Sequence, residues 1–190
     1  DTVGLVLSIA EYYPGITEVT PPSLALGTEM LVNGLRFDGR KITLRLIEAE
    51  PPAGKKAKVY NVKVDKKTVT YFQATGVAKA GKVGSYHLEM GLYGYSHDYL
   101  AERAVTLSLP EITESTPETA TSGQTVTLQG QYFGPTKGAV LLGKKRLKVS
   151  AWSDRQITVI LPRKVKAGSY ALQVKTKLGL ALVPATLIVD

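Results

Sequence analysis

The chain has 190 residues, 44% of them hydrophobic, with 24 Lys and Arg against 16 Asp and Glu (net charge +8) and no cysteine. Without cysteine there is no disulfide scaffold, thiol nucleophile or thiolate metal site, and two histidines, His87 and His97, are too few for a three-histidine metal centre. The longest apolar runs, such as Val3 to Ala10, are short and broken by Gly and Ser, so no membrane-spanning segment is expected.

Residues 1–13 open at Asp1 without a leader-type pattern, as expected of a processed or excised chain. Val3, Leu5, Leu7 and Ile9 alternate with Gly4, Val6 and Ser8, the period of a half-buried strand. This segment is either a strand of its own chain or an arm that pairs with another copy.

From Pro14 to Phe37 the sequence reads PGITEVTPPSLALGTEMLVNGLRF, and Pro110 to Phe133 repeats it without a gap at nine of 24 positions. An internal duplication implies two domains, assigned to residues 14–109 and 110–190. In the first, Met30 and Val32 point to a core, as do Ile42, Leu44 and Leu46, with Thr43 and Arg45 outward. Glu48 to Lys58, with two prolines and charges of both signs, reads as a loop. Lys58–Asp65 and Thr68–Gln73 read as a hairpin turning at Asp65-Lys66-Lys67. Tyr86, Leu88 and Met90 share one face, which turns His87 outward; nothing reads as a long amphipathic helix, and only Tyr99 to Ala104 could make a short turn of one.

In the second domain Val126 and Leu128 face inward, followed by strands at Gly138–Leu142, Leu147–Trp152, Ile157–Leu161, Tyr170–Val174 and Ala185–Val189. Short strands at intervals of about ten residues predict an all-β fold of two sandwiches in tandem. The offset between repeats falls from 96 at Gly27/Gly123 to 88 at Val69/Ile157 and 84 at Gly84/Gly168. The first domain is therefore expected to carry about eight extra residues near Glu48–Lys58 and about four near Thr75–Lys82.

The pattern P-x-I-T-x-x-x-P, a Gly, an alternating strand, G-x-x-F, W-S-D-x-Q-I-T-V-x-L-P and A-G-S-Y-x-L-x-V resembles the IPT/TIG family. Here it falls on Pro110, Ile112, Pro117, Gly123, Gly130 to Phe133, Trp152 to Pro162 and Ala167 to Val174. In the first repeat Asp65 to Tyr71 (DKKTVTY) stands where the S-D-x-Q-I-T-V segment belongs. The resemblance implies an immunoglobulin-like sandwich, a non-enzymatic role of the bacterial cell-surface type, and no cofactor; it transfers no site residues.

No G-x-S-x-G elbow or G-x-x-x-x-G-K-[ST] phosphate loop is present, and Glu48 and Glu50 lie in a Pro-rich loop, so an enzyme is not expected. Three stretches carry candidate function. Val3, Leu5, Leu7 and Ile9 could complete the sheet of a neighbouring copy, making the chain a self-assembling fibre subunit. Tyr93, Tyr95, His97, Asp98 and Tyr99 combine flat apolar faces with hydrogen-bonding groups, as sugar or protein contacts do. Lys144, Lys145, Arg146 and Lys148, with Arg163, Lys164 and Lys166 expected nearby, form an anion patch in the repeat that carries 11 Lys and Arg against 5 Asp and Glu. The leading expectation is an extracellular structural or adhesive protein whose partners are proteins or copies of itself. The alternative is a carbohydrate-binding surface module using loop 91–100. Nucleic acid is disfavoured, because Lys dominates the patch and few aromatics interleave it.

Overall fold

The computed structural model describes residues 15–37, 42–92, 99–181 and 184–190, without the side chains of 92 and 99–103. Every regular element among them is a β-strand. Residue contacts divide the chain into two units, one ending at Leu107 and one starting at Ser108, with Leu24–Thr28 grouped with the second.

The strands up to Leu107 are β1 (Gly15–Thr20), β2 (Ser23–Leu24), β3 (Glu29–Leu35), β4 (Ile42–Glu48), β5 (Val59–Asp65), β6 (Gln73–Ala78), β7 (Gly84–Leu92) and β8 (Tyr99–Leu107). They form one sheet in the order β1-β3-β6-β5-β4-β7-β8-β2. The sheet folds over itself at β5, which pairs antiparallel with β4 on one side and β6 on the other. Alternation buries Met30, Val32, Leu44, Leu46, Val62, Ala74, Tyr86, Leu88 and Met90 between the two layers.

The second unit contains β9 (Glu111–Thr116), β10 (Thr119–Ala120), β11 (Thr125–Gln131), β12 (Ala139–Leu142), β13 (Lys145–Arg146), β14 (Lys148–Trp152), β15 (Gln156–Ile160), β16 (Gly168–Lys175) and β17 (Ala185–Val189). Its two sheets run β10-β17-β16-β12-β13 and β14-β15-β11-β9. What is one strand, β5, in the first unit is split here around buried Leu147, whose N–H donates to Val140 C=O at 2.8 Å. Val126, Leu128, Phe133, Val140, Leu142, Leu147, Ile157, Val159, Leu161, Leu172, Val174, Leu187 and Val189 form one buried cluster.

The duplication reaches the backbone. In both units a bulge interrupts the pairing of the first long strand, between Ile16 and Glu18 against β3 and between Gln129 and Gly130 against β9. At each bulge a glycine is required: a Cβ on Gly34 would collide with Gly15 O and sit 2.5 Å from the Phe37 ring, and one on Gly130 would collide with Glu111 O and sit 2.5 Å from the Phe133 ring. Arg36 and Tyr132 take positive φ (63° and 59°), turning each chain so that the following Phe drops into the core. This is the physical content of G-x-x-F. The A-G-S-Y signature of the second unit places Tyr170 OH to donate to Lys166 C=O at 2.9 Å, and Tyr86 OH donates likewise to Lys82 C=O at 2.8 Å. Both are tyrosine corners of the immunoglobulin type.

Three expectations are corrected. Thr68–Gln73 is not a strand: β6 begins at Gln73, with Asp65 opposite Thr75. Thr70 therefore holds the place of Ser153, and Gln73 that of Gln156: Thr70 N–H donates to Gln73 C=O, and Ser153 N–H to Gln156 C=O, both at 2.8 Å. Tyr99–Ala104 is part of β8, because β7 offers its edge as a hydrogen-bonding partner. The extra residues near Thr75–Lys82 are absent: 79–83 link β6 to β7, against 161–167 between β15 and β16. About eight extra residues lie between β4 and β5, where 49–58 replace the two-residue turn Gly143-Lys144, and about four lie between β5 and β6, where 66–72 stand against 153–155.

Candidate functional site

Val3, Leu5, Leu7 and Ile9, and likewise Tyr93, Tyr95, His97 and Asp98, lie outside the described residues. Tyr99 begins β8 opposite Met90, its side chain outside the description. Lys144 lies in the β12–β13 turn, Lys145 and Arg146 form β13, and Lys148 opens β14, all exposed. Arg146 Nη2 donates to Gly138 O at 3.4 Å, which draws it back along β12. The connection carrying Arg163, Lys164 and Lys166 is held by Ser122, whose Oγ donates to Val165 C=O at 3.0 Å. The Tyr170 ring stands between that connection and the β12–β13 turn, 3.9 Å from where a Cβ on Gly143 would sit. Trp152 packs on Phe133 (centroids 6.2 Å apart) and donates its indole N–H to Gly134 C=O at 2.8 Å, so it belongs to the scaffold.

On β7, Glu89 faces outward yet is only 4% exposed, and it pairs with Arg45 directly across on β4. The outward position of Arg45 follows from alternation; burial of its partner does not. Among the described residues no cluster of His, Cys, Asp and Glu could hold a metal ion, and no helix is long and apolar enough to cross a membrane.

The feature that sequence reading missed lies in the turn before β6. Tyr71 and Phe72 are 41% and 60% exposed and meet edge to face, with centroids 4.7 Å apart at 75°. Their backbone is fixed: Phe37 N–H donates to Tyr71 C=O at 3.0 Å, and Gly34 N–H to Phe72 C=O at 2.8 Å. Thr70 closes the turn by taking the Phe72 N–H on its hydroxyl at 3.4 Å. Leu35, at the end of β3, is also exposed. In the second unit the same backbone hydrogen bonds, Phe133 N–H to Asp154 C=O and Gly130 N–H to Arg155 C=O, put Asp154 and Arg155 in these places. There Asp154 Oδ1 accepts the Gly134 N–H at 2.8 Å, a structural duty. The turn is common to both units; the aromatic pair is not.

Beside the pair, Gln73, Asn33 and Glu18 stand in register on β6, β3 and β1. Gln73 Nε2 donates to Asn33 Oδ1 at 3.2 Å, and Asn33 Nδ2 donates to Glu18 Oε2 at 3.1 Å.

The IPT/TIG domain family model matches residues 110–187. Residues 110–187 are an IPT/TIG domain. Related sequences are cyclomaltodextrin glucanotransferases. The protein from Thermoanaerobacterium thermosulfurigenes is 28% identical over 137 residues, 62% of this chain and 19% of that enzyme. The protein from Geobacillus stearothermophilus is 32% identical over 106 residues, 54% of this chain and 14% of the enzyme. The chain thus spans less than a fifth of the length of these curated relatives. Among solved structures, the extracellular region of plexin A4 aligns with 94% of this chain and 18% of its own at a TM-score of 0.50 and 11% identity. A crystal structure with xylogluco-oligosaccharide aligns with 92% of this chain and 40% of its own at 0.51 and 20%. These likenesses show the shared immunoglobulin-like fold around and beyond the IPT/TIG domain.

Proposed function

We propose that the chain is a non-catalytic, glycan-directed immunoglobulin-like module that works outside the cell. The observation that carries this reading is the exposed pair Tyr71–Phe72 on a backbone fixed by hydrogen bonds. Exposing two large aromatic faces costs hydration free energy, and a rigid platform of this kind suits stacking against the apolar face of a sugar ring. The relatives support the same direction: they are named for cyclomaltodextrin, and a protein of the same fold was crystallised with a xylogluco-oligosaccharide. That favours a polysaccharide over the adhesive, self-assembling role, which depends on Val3 to Ile9.

The test is affinity electrophoresis of the full chain through gels containing soluble starch, xyloglucan or mixed-linkage glucan. At least one polymer is expected to retard the wild type. Phe72→Ala, and to a lesser degree Tyr71→Ala, is expected to weaken binding about tenfold, each good aromatic contact being worth roughly 0.5–1.5 kcal/mol beyond its buried area. Melting temperatures should stay close to wild type, because Phe72 is 60% exposed. Tyr93→Ala and Tyr95→Ala measure the share of loop 91–100. Retardation by none of the polymers would sink the reading.

A further inference from the structure

The polar row beside the aromatic pair has a direction. A carboxylate only accepts, so Glu18 obliges Asn33 to present its NH2 group, which turns Asn33 Oδ1 towards β6 and obliges Gln73 to donate in turn. Each amide keeps one N–H outside this chain, and Gln73 Oε1 and Glu18 Oε1 remain as acceptors. The result is a row of alternating donors and acceptors whose rotamers are already fixed, spaced by one strand separation of about 4.8 Å. A sugar hydroxyl is both donor and acceptor, so a chain of sugars satisfies such a row where a purely anionic or purely cationic polymer cannot.

The second unit supplies the comparison within the same molecule. Glu114, Gln129 and Gln156 stand in the same register, but Glu114 takes the Thr116 hydroxyl at 3.0 Å, and Arg155 stands where Phe72 does. A polar row is therefore part of the duplicated scaffold. Only in the first unit is it wired from end to end beside an aromatic platform.

We propose that Gln73, Asn33 and Glu18 bind the hydroxyls of a neutral glycan chain running across β6, β3 and β1, with one sugar ring held on the Tyr71–Phe72 pair. This assignment rests on the glycan reading and goes beyond it by naming the ligand's charge and path. A uronic acid polymer is rejected, because its carboxylates approach Glu18 with like charge.

The experiment is titration of the isotope-labelled full chain with soluble maltoheptaose, xyloglucan heptasaccharide and mixed-linkage oligosaccharides, and with oligogalacturonate. The readouts are the side-chain NH2 signals and the dissociation constant. One neutral oligosaccharide is expected to shift the NH2 signals of Asn33 and Gln73 while those of Gln129 and Gln156 stay in place; oligogalacturonate shifts neither. The double variant Asn33→Ala, Gln73→Ala is expected to bind about tenfold more weakly with its backbone spectrum preserved. If Phe72→Ala abolishes binding but the two amide signals do not move and the double variant binds like wild type, the ladder assignment is overturned and the glycan reading stands. Equal binding of oligogalacturonate overturns the charge selectivity. If the wild type binds none of the neutral oligosaccharides or polymers, both proposals fall.

Discussion

Tyr86 and Tyr170 make the same corner 84 positions apart, yet they are held differently. Tyr86 is buried against Tyr60, with rings 5.9 Å apart at 81°, and its hydroxyl both donates to Lys82 C=O and accepts Lys82 N–H. Tyr170 is half-buried, and its hydroxyl donates to Lys166 C=O. Tyr86→Phe is expected to cost about 1–2 kcal/mol in chemical denaturation and Tyr170→Phe about half that, because only the first strands two backbone groups. Burial raises the Tyr86 pKa above its ordinary value of 10.0, against a smaller opposing effect of the Lys82 hydrogen bond. The folded state then holds that proton more tightly than the unfolded one, so this contribution is complete below pH 10 and fades as pH climbs beyond it. Urea midpoints measured from pH 8 to 11 should show a steeper alkaline loss for wild type than for Tyr86→Phe.

At the level of strands, the glycine of each bulge is the position least able to change. Gly34→Ala and Gly130→Ala each force a methyl into a facing carbonyl and the ring of Phe37 or Phe133, and each is expected to destabilise its own unit by about 2–4 kcal/mol by differential scanning calorimetry. An unaltered melting profile for either would contradict the close approach. The glycine, the Phe and most of the strands were legible in sequence, because alternation and turn chemistry are local. β6 was not. Its residues QATGVA are small and weakly β-prone, whereas the preceding TVTYFQ is rich in β-branched and aromatic side chains. Tertiary packing decides against propensity here: a Cβ on Gly76 would lie 2.7 Å from Val62 and 3.4 Å from Leu44, so only a lean strand fits. A local signal existed in the pair Gln73 and Thr75, which reappears as Gln156 and Thr158. The candidate site was hidden for the same reason: read as strand interior, Tyr71 and Phe72 look like core, and only their place in the turn brings them to the surface.

For the whole molecule, the net charge of +8 concentrates in the second unit. Part of that charge falls where β5 has been divided. In the first unit β5 is hydrogen-bonded on both sides, but in the second β13 ends one sheet and β14 ends the other. Division of one strand has thus created two unpaired borders, and Lys145, Arg146 and Lys148 line them. Short, cationic borders repel their like and leave little backbone for a neighbour to zip onto. These three cations are accordingly expected to guard against clumping: a chain with Lys145, Arg146 and Lys148 all replaced by Thr should keep its fold yet associate as its concentration rises. Light scattering at increasing concentration checks this. A chain so altered that stays monomeric would return those three cations to the search for an anionic ligand.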